Sequence, residues 1–122
     1  MLTAFGKFCR KLRIERDEIL KNMADKLGVT PSYLSAVEIG KRAIPATWRE
    51  LIINIYNLTP VQQQELRDAI DNSTTQIKLD ISAMNASKRQ TALAFARKLD
   101  EMDDEEIRKI LELIKMHKKG GN

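Results

Sequence analysis

The stretch Leu20-Lys21-Asn22-Met23-Ala24-Asp25-Lys26-Leu27-Gly28-Val29-Thr30-Pro31-Ser32-Tyr33-Leu34-Ser35-Ala36-Val37 reads as a short helix, a glycine turn and a second, capped helix. Leu20, Met23, Ala24 and Leu27 recur at i, i+3, i+4 and i+7, which puts one apolar stripe on the first helix. Gly28 follows directly, where a left-handed residue ends a helix without a Cβ penalty. Thr30 is a good N-cap. Pro31 suits the first helical position, because the N–H it lacks has no intrahelical partner there. A helix is therefore predicted over 31–38, with Leu34 and Val37 facing inward. A helix-turn-helix needs this arrangement: two short helices that cross steeply require a small residue where they approach, here Ala24, and glycine in the turn. An ordinary helical hairpin shares much of the pattern.

Toward the N-terminus, Phe5, Phe8, Cys9 and Leu12 form the stripe of a first helix. Cys9 lies inside it and reads as a small buried hydrophobe. Toward the C-terminus, Ile39-Gly40-Lys41-Arg42 is a turn with two cations, and Pro45 closes the loop after it. Thr47 and Glu50 have capping-box spacing ahead of Trp48, Leu51, Ile52 and Ile55, a fourth helix. Thr59-Pro60-Val61-Gln62 repeats that signature and predicts a fifth helix to about Ile70. The polar stretch Asp71-Asn72-Ser73-Thr74-Thr75 then sets the expected boundary between a domain over 1–71 and a C-terminal region over 72–122.

In that region Ile77, Leu79 and Ile81 alternate with Lys78 and Asp80, the two-residue period of a strand. No second strand-like run accompanies it, so the expected partner is its copy in a second subunit. Two helices are predicted beyond it. One starts at Asn85 or Ser87 and runs to about Met102, with Ala92, Phe95, Ala96 and Leu99 inward. The other runs from Asp103 to about Lys118, with acids Asp103 to Glu106 at its front and Lys115, Lys118 and Lys119 at its back, matching the helix dipole. Its stripe of Ile107, Ile110, Leu111, Leu113, Ile114 and Met116 is wider than one seam needs and predicts a subunit contact. Gly120-Gly121-Asn122 is expected to fray. The fold class predicted is all-α: a five-helix domain, then one strand and two helices that dimerise through Ile77, Leu79, Ile81, Ile107, Ile110, Leu111 and Ile114.

The 122 residues are 43% hydrophobic, enough for one small globular core and against a disordered chain. One cysteine, Cys9, excludes an internal disulfide framework, and a single histidine, His117, makes a catalytic triad or a two-histidine metal site hard to build. No metal, cofactor or enzymatic activity is expected. The acids Asp100, Glu101, Asp103 and Asp104 sit at a helix junction with no pocket signature. With no basic segment leading into a long apolar run, and no membrane-spanning stretch, a cytoplasmic protein is expected. The net charge of +4 lies wholly in residues 1–58, where ten Lys/Arg face six acids; residues 59–122 are balanced at eleven of each. The excess suggests a polyanionic partner for the first half and association for the second.

Over roughly residues 3–58 the sequence resembles the Cro and phage-repressor class of helix-turn-helix proteins, the XRE family. The matching text is Leu12-Arg13 and the run from Met23 to Arg42. The resemblance implies a five-helix domain whose third helix lies in the major groove of DNA. It implies that Arg13 and Glu38 pair to join the first helix to the end of the third, and that Pro31, Ser32, Tyr33, Ser35 and Ala36 face the bases. Ser32 can exchange a hydrogen bond with a base edge or phosphate, and Ala36 can touch a thymine methyl. The family's polar phosphate contact at the start of the second helix is Leu20 here, which passes that role to Lys21 or Asn22. Ile39 likewise replaces a position that is often polar. Lys41, Arg42 and Arg49, beside the start of the fourth helix, suit phosphates.

The function expected is a sequence-specific, double-stranded DNA-binding regulator, a homodimeric repressor. The alternative is an antitoxin that grips a toxin with its C-terminal half and represses its own promoter.

Overall fold

Side-chain caps start most of the helices, at the Thr, Asn and Asp residues that precede apolar periodicity. The computed structural model describes residues 1–117. Among them every regular element is helical: α1 (Ala4–Glu15), α2 (Leu20–Leu27), α3 (Pro31–Glu38), α4 (Trp48–Tyr56), α5 (Pro60–Ser73), α6 (Ala86–Lys98), a 3₁₀ turn (Leu99–Glu101) and α7 (Asp104–Met116). Thr30 Oγ1 accepts from the Tyr33 N–H at 3.1 Å, and Asn85 Oδ1 from the Lys88 N–H at 2.9 Å, so α6 starts after Asn85 rather than Ser87. Thr59 with Gln62, and Asp103 with Glu106, form reciprocal capping boxes. Thr47 does not: its backbone is already helical, and its hydroxyl makes no cap. Glu50, its expected partner, instead lies 3.4 Å from Arg49 Nη2.

The chain divides into two compact units, Met1–Ile77 and Lys78–Asn122. The boundary falls later than 71 for two reasons. Helix α5 continues to Ser73, and Thr74, Thr75 and Gln76 line a cleft with Thr3, Val37, Gly40 and Ile44 of the first unit. That unit holds the core. Phe5, Cys9 and Leu12 of α1 meet Met23, Ala24 and Leu27 of α2, Leu34 and Val37 of α3, Trp48, Ile52 and Tyr56 of α4, and Leu66 of α5. Phe5 and Trp48 pack with ring centroids 6.2 Å apart. Burial, reinforced by the Glu38 charge and opposed by Arg13, raises the Cys9 thiol pKa, so the thiol behaves as the inert hydrophobe expected.

The second unit departs from expectation. Residues 74–81 form neither helix nor strand, because an isolated strand has no ladder partner and the described residues contain no second one. Ile77 and Leu79 are exposed and Ile81 half-buried. Helix α6 ends at Lys98, short of Met102, and buries no residue. Ala92 is half-buried, while Phe95, Ala96 and Leu99, expected to face inward, are exposed. Helix α7 also buries none of its residues: Leu113 is 72% and Met116 77% exposed. Lys118, Lys119 and the tail Gly120-Gly121-Asn122 lie outside the described residues. No helix among those described is long and apolar enough to cross a membrane.

Candidate nucleic-acid interface

The position of α3 is fixed from behind by α1. Arg13 and Glu38, 8% and 3% exposed, form a two-point pair: Nη1 donates to Oε2 at 2.6 Å and Nη2 to Oε1 at 3.2 Å. Nη1 also reaches Met23 Sδ at 3.3 Å, which brings α2 into the same junction. Burial alone would lower the Arg13 pKa, but the hydrogen bond and charge of Glu38 outweigh it and raise it. The pair joins α1 to the end of α3, as the resemblance implied.

A second tie lies at the same place and is not legible from the motif. Thr3 caps α1 by accepting from the Gly6 N–H at 3.1 Å. Its own N–H and hydroxyl both donate to the Glu38 carbonyl, at 3.0 and 2.9 Å. This seats the first turn of α1 against the last carbonyl of α3, so closely that a Cβ on Gly6 would collide with the Glu38 carbonyl oxygen and lie 3.0 Å from its carbon. A glycine inside an amphipathic helix costs about 1 kcal/mol against alanine, and that cost was the available sequence signal for a close approach.

Both ends of the α2–α3 pair stop in the same hydrogen-bonded turn. The Gly28 and Val29 N–H groups donate to the Asp25 and Ala24 carbonyls at 3.1 and 3.0 Å, and those of Gly40 and Lys41 to Val37 and Ala36 at 3.1 and 2.9 Å. Gly28 and Gly40 take φ of +73° and +83°, as this Schellman arrangement requires. The second turn places Lys41 and Arg42 directly beyond α3.

On the outer side of α3, Pro31, Ser32, Ser35 and Ala36 line one shallow depression together with Leu20, Ile39 and Lys41. Four of the five residues expected to face bases are thus brought together. The fifth, Tyr33, is half-buried. Its ring packs edge-on to Trp48, with centroids 6.1 Å apart, and carries the Arg42 guanidinium 5.0 Å above it, a cation–π contact that holds Arg42 in place. Lys21 is exposed and lies 3.3 Å from Asp25. Asn22 caps α2, its Oδ1 accepting from the Ile19 N–H at 2.8 Å.

The ten cations of residues 1–58 have unequal roles. Arg13 is buried in its pair. Arg16 donates to the Tyr56 carbonyl at 2.8 Å, and Lys26 pairs with Glu18, whose Oε1 also accepts from the Tyr56 hydroxyl at 2.7 Å. Partial burial would raise the Glu18 pKa, but Lys26 and Tyr56 bind its charged form and lower it. Desolvation, then Glu18, raises the Tyr56 pKa. Lys21 and Arg49 make exposed pairs. Lys7, Arg10, Lys11, Lys41 and Arg42 make no ion pair among the described residues. Nor does any group of three or more His, Cys, Asp or Glu there stand close enough to hold a metal ion.

No family model matches the chain, and neither a curated protein nor a solved structure matches it.

Proposed function

We propose that the chain is a sequence-specific, double-stranded DNA-binding transcriptional regulator of the Cro and phage-repressor (XRE) class, a cytoplasmic homodimeric repressor. Residues 1–77 act as its helix-turn-helix domain, and helix 31–38 reads the major groove. The observation that carries this reading is the surface shared by Pro31, Ser32, Ser35, Ala36 and Lys41, with Arg42 held beside it on Tyr33. Short side chains let the α3 backbone approach base edges, while cations just past its end meet phosphates. Arg49 adds a further exposed cation in the first turn of α4, where it lies 3.4 Å from Glu50.

The exposed apolar side chains of the second unit support association through it. Two 13-residue helices that bury nothing are marginal alone in water. Helix α7 starts with Asp104, Glu105 and Glu106 and ends with Lys115, so an antiparallel copy sets acid against base along a seam of Ile107, Ile110, Leu111 and Ile114. Exposed Ile77 and Leu79 and half-buried Ile81 are further apolar side chains that we assign to dimerisation. The same exposed surface supports a second reading, an antitoxin whose C-terminal half holds a small toxin; copurification of such a partner would favour it over the homodimer.

Selection of the full chain against random duplexes tests the proposal. The expected product is a two-fold symmetric site with half-sites centred about 34 Å apart or a multiple of that. Failure to enrich any duplex overturns it.

A further inference from the structure

The depression on α3 has an unusual chemistry for a surface that reads bases. Leu20, Pro31, Ala36 and Ile39 are apolar, Ser32 and Ser35 offer hydroxyls, and Lys41 is the one charged residue of the lining. The lining contains no Arg, Asn or Gln, the side chains that grip a base edge at two points. Leu20 packs partly against the core, and both it and Ile39 remain only half-buried, so each presents apolar surface from a position fixed by the fold.

In the major groove all four bases expose hydrogen-bonding groups, and thymine alone adds a C5-methyl, where cytosine has only a hydrogen. Pressing Leu20 and Ile39 onto donors or acceptors would strip water from them without replacing the lost bonds. A thymine methyl is the complementary surface, and Lys41 supplies the positive charge that duplex DNA requires. We infer that this depression reads the C5-methyl groups of thymines, with Leu20 and Ile39 as its specificity-determining residues. The inference rests on the DNA-binding proposal.

The test uses the full chain and the duplex recovered from the random selection, with each dT of a half-site replaced in turn by dU, which removes only the methyl. Affinity is expected to fall about fourfold per contacted thymine, equivalent to ~0.8 kcal/mol for one buried carbon. In Ile39→Ala and Leu20→Ala, checked for intact folding by thermal melting, the dT/dU ratio should shrink toward one while the salt dependence stays as in the parent. Equal affinity of the unmodified chain for dT and dU duplexes overturns methyl reading and leaves DNA binding standing. Variants that keep the full ratio overturn the assignment to Leu20 and Ile39. Failure to recover any duplex removes the underlying proposal and this inference with it.

Discussion

The carbonyl of Glu38 occupies the space that a side chain on Gly6 would need, so the first turn of α1 and the last turn of α3 touch backbone to backbone. Thr3 donates to that same carbonyl through both its N–H and its hydroxyl. The contact fixes where α3 ends and hence where Lys41 and Arg42 begin. Gly6→Ala must push the two helices apart, and the expected loss of stability is about 1–3 kcal/mol, the usual range for overpacking. Urea denaturation should show a lower midpoint with an unchanged slope.

Removing one member of the Arg13–Glu38 pair leaves a charge buried among apolar side chains. Arg13→Met is expected to cost about 3–5 kcal/mol. The double variant Arg13→Met with Glu38→Leu should regain much of that loss, because neither charge is then stranded. A double-mutant cycle by chemical denaturation measures the coupling; strictly additive losses would exclude it.

The Glu18–Lys26–Tyr56 cluster gives stability a dependence on pH at both ends. The folded Glu18 pKa lies below its ordinary 4.5. Its contribution is therefore complete above 4.5 and is lost as pH falls through the folded value. The folded Tyr56 pKa lies above its ordinary 10.0, so the folded state keeps a proton that the unfolded state releases, and stability declines as pH rises past 10. Denaturation midpoints should show the difference between Glu18→Gln and the parent vanishing in acid, and Tyr56→Phe should lack this residue's alkaline decline.

On the DNA-binding proposal, Lys41 and Arg42 contact phosphates. Replacing each by alanine should flatten the slope of log K against log salt by about 0.9. Lys21→Ala should change the slope less, since Asp25 already lies beside that ammonium. Titrations at several salt concentrations decide this, and an unchanged slope in Lys41→Ala and Arg42→Ala would remove both from the interface.

Charges placed in the α7 seam test association. Ile110→Glu together with Ile114→Glu should convert a dimer into a monomer by sedimentation velocity and lower the helical signal, because α6 and α7 then lack a covering surface. A fragment of residues 1–77 should stay folded and monomeric, since it contains the whole buried core.

Short-range signals made much of the first unit legible. Gly28 ending α2, Thr30 and Pro31 starting α3, and the Thr59–Gln62 box starting α5 act within one helical turn, so residues close in the chain suffice to read them. The cap expected at Thr47 failed, because the preceding Pro45 turn carries Thr47 into helical backbone. The strand expected at 76–81 failed in the single chain because a ladder needs a partner from elsewhere.

Local periodicity and capping were enough to place α2, α3 and the cationic turn after them. Charge counting also located the basic excess in residues 1–58. It could not say which cations are free, since Arg16 is claimed by Tyr56, 40 residues away, and Arg13 by Glu38, 25 away. The three-dimensional fold alone joined Leu20 to the outer face of α3, seated Tyr33 under Arg42 and put Gly6 against Glu38. These are encounters between residues of different elements, set by how helices and turns pack, and no pattern with the period of one helix encodes them.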